Sequence, residues 1–143
     1  VKGLNCMIEY DSNNIFLKII SNEIPSLKVY EDTNTIVIMD AYPEMPGHML
    51  VIPKKKSRNI MDIGLEDLSK LILIVKKITE SQIYVFGAAG CKIKHNCESS
   101  AGQVIFHTHF HVIPVFEKEC EMSPELNTIE KQANAVIAYL MEN

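Results

Sequence analysis

The chain has 143 residues, of which 47% are hydrophobic, and this composition predicts one globular domain with its own core. Its net charge of −4 comes from mixed charges and excludes the basic footprint of a nucleic-acid-binding protein. The apolar runs, such as Leu71–Val75, are too short to span a membrane. The N-terminus has no leader pattern and the four cysteines form no Cys-x-x-Cys pair, so we expect a cytoplasmic protein with reduced thiols.

The first half of the chain predicts a loose N-terminal lead-in, one short helix and three strands. Apolar residues at helical spacing indicate the helix, and β-branched residues between turn formers indicate the strands. In chain order these elements are residues 1–12 for the lead-in, Ile15–Ile20 for the helix, with Asn13 or Asn14 as its cap, and Leu27–Glu31, Thr35–Asp40 and His48–Pro53 for the strands. The basic cluster that follows, Lys54–Arg58, is expected to be a solvated loop rather than a phosphate-binding patch.

The second half predicts a long amphipathic helix, two strands and a closing helix. In chain order these are Leu65 to about Val85, Cys91–Asn96, Val104–Pro114 and Glu125–Leu140, the last with Ser123 as its cap and Pro124 at its first position. The buried stripe of the long helix is expected to contain Leu65, Leu68, Leu71, Ile72, Val75 and Ile78. Strands that cluster, rather than alternate one-to-one with helices, predict an α+β fold with an antiparallel sheet.

Three of the five histidines lie in one segment, because residues 102–114 read GQVIFHTHFHVIP. Val, Ile, Phe and Thr dominate this segment and a proline ends it, so we predict a strand. Side chains alternate along a strand, so one face would carry His107, His109 and His111, and the other Val104, Phe106, Thr108, Phe110 and Val112. Three imidazoles are costly to bury without partners, which indicates either catalysis by a positioned histidine or a metal site.

The same segment resembles the His-x-His-x-His signature of the histidine triad (HIT) superfamily. The resemblance extends to FLKIISNEIP at residues 16–25, to Asp40 followed by PGH at 46–48 and LVIPK at 50–54, and to Asn96, seven residues before Gln103. It implies a single HIT domain over residues 1–143, with an antiparallel sheet of about five strands, one long helix and terminal helices. The compact length resembles the Hint-like branch, which implies a homodimer with contacts through the helix from Leu65 and the strand from Cys91.

The resemblance implies a catalytic group of four histidines. His109 would be the nucleophile that attacks an α-phosphate and forms a covalent nucleotidyl-histidine, which suits an imidazole that is neutral near pH 7. A backbone carbonyl on the same strand would hold its other ring nitrogen. His107 would orient the group with His48 nearby, and His111 would bind the phosphate oxygens.

The resemblance also implies a nucleotide-binding set. Asp40 would accept hydrogen bonds from the two ribose hydroxyls, as a carboxylate can. Phe16 and Ile19 would sandwich the purine base, although packing of a helix against a core predicts the same residue types. The phosphate would be bound by three further groups, namely the side chains of Asn96 and Gln103 and the backbone N–H of Val104.

The chain departs from the family pattern in several places. Many members carry a Cys-x-x-Cys pair that holds a structural zinc with two histidines, but residues 14–17 read NIFL and Cys6 lies too early, so we expect no metal and no cofactor. Val104 stands where several relatives have Ser or Thr, which leaves an amine leaving group without a hydroxyl donor. Glu98 replaces a glycine, and we expect its carboxylate to point away from the phosphate. His95 matches no family position and is expected to be solvated or structural.

The function that the resemblance implies is cleavage at the α-phosphate of purine nucleoside 5′-monophosphate conjugates, such as phosphoramidates or acyl-adenylates, by a hydrolase or transferase. A dinucleoside polyphosphate hydrolase would use the same residues on a larger leaving group, and a nucleotide-binding module would use them with little turnover. A metalloprotein with His107, His109 and His111 as ligands is the remaining alternative. The expected partners are a purine nucleotide and a second copy of the chain, with neither nucleic acid nor membrane.

Overall fold

The computed structural model describes residues 9–143, so Cys6 and the first eight residues of the predicted lead-in lie outside the described residues. Helices and strands alternate in groups along this part of the chain. In order they are α1 (Ile15–Ile20), β1 (Lys28–Glu31), β2 (Thr35–Met39), β3 (Met49–Pro53), α2 (Leu65–Phe86), β4 (Gly90–Lys94), β5 (Phe110–Val115) and α3 (Ile129–Glu142), with short 3₁₀ turns at Ser99–Ala101 and Pro124–Leu126.

The strands form one antiparallel sheet in the order β1-β2-β3-β5-β4. Every residue of the central strands β2 and β3 is buried, since α2 and α3 pack on one face of these strands and α1 packs on the other. The predicted α+β fold with an antiparallel sheet of about five strands is therefore confirmed. Within residues 9–143, no helix combines the length and the apolar composition needed to cross a membrane.

Two separate cores lie on the two faces of the sheet. Helices α2 and α3 cover one face, which we call the helical face, and its core contains Val37, Met39, Val51, Val112, Leu71, Val75, Ile78, Ala133 and Val136. Helix α1 covers part of the other face, which we call the cavity face, where Phe16 and Ile19 pack on Ile36, Ile38, Leu50 and Ile52. Side chains of adjacent residues in one strand thus enter different cores, as the two-residue repeat of a strand requires.

Local signals position the ends of the helices. The side chain of Asn14 accepts a hydrogen bond from the N–H of Leu17 at 2.9 Å, so Asn14 is the predicted cap of α1. Helix α2 ends at Gly87, whose φ of 74° is left-handed. Its last residue, Phe86, packs so closely on Gly47 (φ 94°) that a Cβ there would lie 2.7 Å from the ring. This contact fixes the turn before His48.

The predicted histidine strand is wrong over its first half, because β5 begins at Phe110 and not at Val104. Thr108 bonds to the connection after β3, with its N–H on the carbonyl of Ser57 at 2.9 Å and its hydroxyl 2.6 Å from the hydroxyl of Ser57. The segment before Phe110 is therefore a loop, and we call residues 98–109 the active loop. The strand propensity of this segment is overridden, because the connection after β3 supplies hydrogen bonds that a neighbouring strand would otherwise supply.

Three further predictions about elements are wrong in part. Leu65 and Ile72 of α2 are 83% and 44% exposed, and Ile74 takes the buried position between Leu71 and Val75. The closing helix begins at Ile129, since Ser123 and Pro124 start a separate 3₁₀ turn and Thr128 caps α3. The basic cluster Lys54–Arg58 is only partly solvated, because Ser57 is buried and Arg58 is paired with Glu98 at 2.8 Å.

Candidate functional site

A cavity of about 760 Å³ opens on the cavity face of the sheet, a size typical of small-molecule sites. Its apolar part is formed by α1 and by strands β2 and β3, including Phe16, Ile19, Ile38 and Leu50. Its polar part is formed by the loop after β2, by β4 and its continuation, and by the histidine segment, through Asp40, Glu44, Lys94, Asn96, Val104, His109 and His111. Most of the predicted site residues therefore meet in one cavity.

One ring nitrogen of His109 makes a hydrogen bond within the protein, and the other is available to a ligand. Its Nδ1 lies 2.6 Å from the carbonyl oxygen of His107, which can only accept, so Nδ1 carries the proton and Nε2 carries the lone pair. The predicted backbone acceptor thus exists, although it belongs to the active loop and not to a strand. Burial lowers the pKa of His109 to about 4, so the ring is neutral at pH 7. The edge of Phe16 supports it at 4.8 Å between ring centroids.

His111 is oriented by His48 from the neighbouring strand end. The N–H of Glu44 donates to His48 Nδ1 at 3.1 Å, so the proton of His48 sits on Nε2, which donates to His111 Nδ1 at 3.0 Å. The proton of His111 must then sit on its Nε2. Burial, followed by the charge of His48, lowers the pKa of His111 to about 4. His111 therefore offers a neutral N–H donor beside His109, whose ring centroid is 5.1 Å away.

His107 is fully buried, does not line the cavity, and is bonded at both ring nitrogens. Its Nε2 donates to the carbonyl of Pro53 at 2.7 Å, which leaves Nδ1 to accept from the hydroxyl of Tyr10 at 2.5 Å. The amide of Asn14 in turn donates to that hydroxyl at 2.7 Å. We call this series the Tyr10 chain. It corrects one prediction, since the lead-in is not loose at Tyr10.

The structural zinc of the family pattern does not fit the residues present. The side-chain amide of Asn14 already makes hydrogen bonds in the Tyr10 chain and in the cap of α1. The side chain of Leu17 has no atom that can bind a metal ion. A site formed by His107, His109 and His111 does not fit either, because His107 has no free nitrogen. Asp40, His48 and His111 do place one ligand atom each within 4.8 Å of the others. A metal ion there would replace the hydrogen bond between His48 and His111.

Asp40 lies at the cavity end of β2. Its Oδ1 accepts the N–H of Tyr42 at 2.9 Å, and its Oδ2 lies 3.4 Å from Nε2 of His48. The carboxylate lines the cavity beside the apolar part. Its role as a ribose ligand stays a prediction.

The active loop is held by a polar network, which the sequence analysis did not identify. Glu98 has φ 76° and ψ 161°, a region that non-glycine residues rarely occupy. Arg58 binds its carboxylate through two nitrogens at 2.8 and 2.9 Å, and Asn59 binds it at 2.6 Å. The hydrogen bond with Arg58 lowers the pKa of Glu98. The carboxylate is thus turned onto Arg58, and Glu98 does not line the cavity, as expected.

Gln103 belongs to this network and not to the cavity wall. Its amide nitrogen donates to the carbonyls of Arg58 and Ile105 at 2.7 and 3.1 Å, and its oxygen accepts from the N–H of Glu98 at 2.9 Å. Both protons of the amide are used within the protein and the side chain does not line the cavity, so the predicted phosphate contact would need these bonds to break. Gln103 instead fixes the shape of the active loop.

Val104, in the middle of the active loop, and Asn96, just before the loop, both line the cavity. Val104 is 82% exposed rather than packed in a core, so the predicted apolar side of a strand is wrong at this residue. Within the described residues, its N–H has no hydrogen-bond partner and remains available to an anion. The amide of Asn96 donates to the carbonyl of Gly102 at 3.3 Å.

His95 is structural, as expected. It accepts the N–H of Ile60 at Nε2 (3.1 Å), so its Nδ1 donates to the carbonyl of His109 at 2.9 Å, and its ring stacks on Phe110 at 4.7 Å. Nothing in the sequence around His95 indicates this contact. Tyr10, Arg58 and Asn59 were missed for the same reason, since their partners are distant along the chain.

Comparison with known proteins identifies the family. The family model described as HIT domain matches residues 21–118. An uncharacterized 13.1 kDa HIT-like protein of Mesomycoplasma hyorhinis is 45% identical over 104 residues, which are 73% of this chain and 94% of that protein. The adenylylsulfatase HINT3 of Arabidopsis thaliana is 35% identical over 111 residues, covering 78% of this chain and 56% of that protein.

A solved structure agrees with these matches. The crystal structure of a Hit-like protein involved in cell-cycle regulation from Bartonella henselae superposes with a TM-score of 0.83 and 42% identity, covering 91% of this chain and 98% of that one. The histidine segment, the strand order and these matches lead to one conclusion: the chain belongs to the HIT domain family.

Proposed function

We propose that the protein is a purine nucleotide hydrolase or transferase that cleaves at the α-phosphate of nucleoside 5′-monophosphate conjugates through a covalent nucleotidyl-His109. The observation that carries this proposal is the neutral His109, whose Nε2 lone pair is available in the cavity beside the N–H of His111. A relative that is an adenylylsulfatase supports a reaction on an adenylyl conjugate.

In the first step, the lone pair of His109 Nε2 forms a bond to the α-phosphorus. The bond from phosphorus to the leaving group breaks, and its electron pair departs with that group. His109 keeps its proton on Nδ1, where the carbonyl of His107 stabilises the positive charge that the ring acquires. The N–H groups of His111 and Val104 and the amide of Asn96 supply the donors for the phosphate oxygens.

In the second step, a water oxygen attacks the phosphorus of the nucleotidyl-histidine. The phosphorus–nitrogen bond breaks, its electron pair returns to Nε2, the water releases a proton, and the nucleoside monophosphate leaves. An alcohol or amine in place of water would make the reaction a transfer.

The shape of the cavity supports the proposed position of the nucleoside. Phe16 and Ile19 offer an apolar surface that suits a flat base, and Asp40 lies next to it for the ribose hydroxyls. A base bound mainly by apolar contacts is selected by size, so we expect purines to be preferred over pyrimidines.

Steady-state release of AMP from adenosine 5′-phosphoromorpholidate tests the proposal, with His109→Asn beside the wild type. We expect the variant to lose at least about a thousand-fold in kcat, since the nucleophile is gone. Its affinity for AMP, measured by calorimetry, and its melting temperature should stay close to those of the wild type. Wild-type protein that binds AMP tightly but turns over none of this conjugate, adenosine 5′-phosphosulfate and a diadenosine polyphosphate would be a binding module instead.

We also propose that two copies of the chain form a homodimer through α2 and β4. Leu65 and Leu73 of α2 and Ile93 of β4 are exposed apolar residues, and β4 is an edge strand of the sheet. Ile93 is opposite Val112 and therefore on the helical face, next to α2. Light scattering should give the mass of two chains for the wild type and of one for Ile93→Lys; a monomeric wild type would refute the dimer.

A further inference from the structure

A lysine stands at the end of a row of cavity-lining residues that crosses the sheet. The register pairs Ile38 of β2 with Leu50 of β3, Leu50 with His111 of β5, and His111 with Lys94 of β4. Directly opposed residues of an antiparallel sheet point to the same face, and all four residues line the cavity. The cavity therefore changes along this row from apolar, through the histidine, to a cation.

This order gives a direction to a bound conjugate. The apolar part that suits the base lies over β2 and β3, and the reacting histidines lie over the end of β5. Neighbouring strands are about 4.8 Å apart, so the next step along the row brings the ligand over β4. A group attached to the α-phosphate on the side away from the nucleoside would lie over Lys94.

The ammonium of Lys94 has a partner that substrate could replace. Its Nζ lies 2.6 Å from a carboxylate oxygen of Glu44, another residue of the cavity wall. The side chains of Lys94 and Glu44 are 39% and 53% exposed, and ion pairs in such surroundings contribute little. Glu44 thus neutralises the cation in the free protein without burying it.

We propose that Lys94 binds the leaving group and selects anionic ones, such as sulfate or a phosphate chain, with Glu44 as the counter-ion that they displace. This inference rests on the proposed function. A sulfate or phosphate departs as an anion with the electron pair of the broken bond and takes no proton. An amine must be protonated as it leaves, and Val104 on the exposed wall of the cavity has no hydroxyl for that purpose.

The test compares two adenylyl substrates that differ only in the leaving group. Adenosine 5′-phosphosulfate releases an anion and adenosine 5′-phosphoromorpholidate releases an amine, and AMP is measured for both. Lys94→Gln should lower kcat/KM for the phosphosulfate about ten-fold or more, the loss expected for one charge-assisted hydrogen bond. It should change the value for the morpholidate by less than about three-fold. Lys94→Arg, which keeps the charge, should retain most of the preference.

Two further variants fix the interpretation. Lys92→Gln makes the same charge change on the same strand, but Lys92 does not line the cavity, so both substrates should be unaffected. Glu44→Gln removes the competing carboxylate while its backbone N–H stays on His48, so it should raise kcat/KM for the phosphosulfate alone.

The outcomes separate this inference from the proposed function. Equal losses on both substrates in Lys94→Gln would place the ammonium on the transferred phosphate and overturn leaving-group selection, while nucleotidyl transfer would stand. If Lys92→Gln lost as much kcat/KM for the phosphosulfate as Lys94→Gln, the effect would come from net charge alone. That result would also overturn leaving-group selection by Lys94. Absence of AMP release from both substrates in the wild type would overturn the inference together with the proposed function.

Discussion

On the helical face, the sheet is held by many interchangeable apolar contacts, whereas on the cavity face the active loop and the histidines are held by single hydrogen bonds with a fixed direction. Val51 and Val112 pack against Leu71, Val75 and Ile78, and no one contact decides the arrangement. On the cavity face, removal of a single hydrogen-bond donor or acceptor would leave its buried partner unsatisfied. The two faces teach that stability and chemistry rest on different kinds of interaction, which substitutions can separate.

The largest effect on stability should come from the helical face. Ile78 is fully buried, and Ile78→Ala should lower the free energy of unfolding by about 2–5 kcal/mol through the cavity that it leaves. The kcat of the folded protein should stay near the wild-type value. Chemical denaturation measures the first and AMP release the second. Met141→Ala, at an exposed residue of α3 outside the proposed dimer surface, is the control and should change stability by less than about 0.5 kcal/mol.

A smaller loss of stability, but a specific loss of activity, should come from the Tyr10 chain. Tyr10→Phe leaves His107 Nδ1 without its donor and Asn14 without one acceptor, which should cost about 1–2 kcal/mol of stability. Because His107 holds His109 through its carbonyl, kcat should fall several-fold with little change in KM. Tyr30→Phe removes a similar hydroxyl bond, to Asp32 at 2.7 Å, away from the cavity. If both variants lowered kcat equally, the Tyr10 chain would have no positioning role.

The pH dependence of both stability and kcat/KM should be set by the buried histidines of the cavity face. Burial lowers the pKa values of His109 and His111 to about 4, below the ordinary histidine value of 6.5. The unfolded chain therefore binds more protons than the folded one between about pH 6.5 and 4, so stability is complete above this window and falls as the pH decreases through it. The kcat/KM value should persist well below pH 6.5 and fall as the pH approaches 4. An acid limb centred at 6.5 would show that His109 is not buried as described.

The smallest expected change is at Glu98, where strain and pairing oppose each other. Glu98→Gly should relieve the backbone cost of φ 76° but lose the pair with Arg58, so stability should change by less than about 1 kcal/mol. Glu98→Ala keeps the strain and loses the pair, so it should be less stable than the glycine variant by about 1–3 kcal/mol. Thermal unfolding of the two variants checks this difference. Equal stability would mean that the backbone at this residue is not strained.

The sequence was informative where one residue type suits one local geometry. Asn14 predicted the start of α1, and β-branched residues between turn formers predicted β2 and β3, since these signals are local. The histidine motif located the site and the family. Leu65 was misassigned because helical spacing alone does not show which edge of an apolar stripe is solvated.

The interior of the site could not be predicted for a physical reason. Tyr10 and His107 are 97 residues apart, and Arg58 and Glu98 are 40 apart, so no spacing rule joins them. The strand predicted from Val104 failed because Ser57, from another part of the chain, supplies the hydrogen bonds of Thr108. Gln103 was assigned to phosphate through resemblance, but its amide is satisfied within the protein.

In the proposed mechanism, His109 itself carries the nucleotide between the two steps. Rapid mixing with adenosine 5′-phosphosulfate or adenosine 5′-phosphoromorpholidate, followed by a denaturing quench at alkaline pH and peptide mass mapping, tests it directly. We predict one added AMP on His109 of the wild type within a single turnover, and none in His109→Ala. An adduct on His111, or AMP release by His109→Ala at the wild-type rate, would contradict the account.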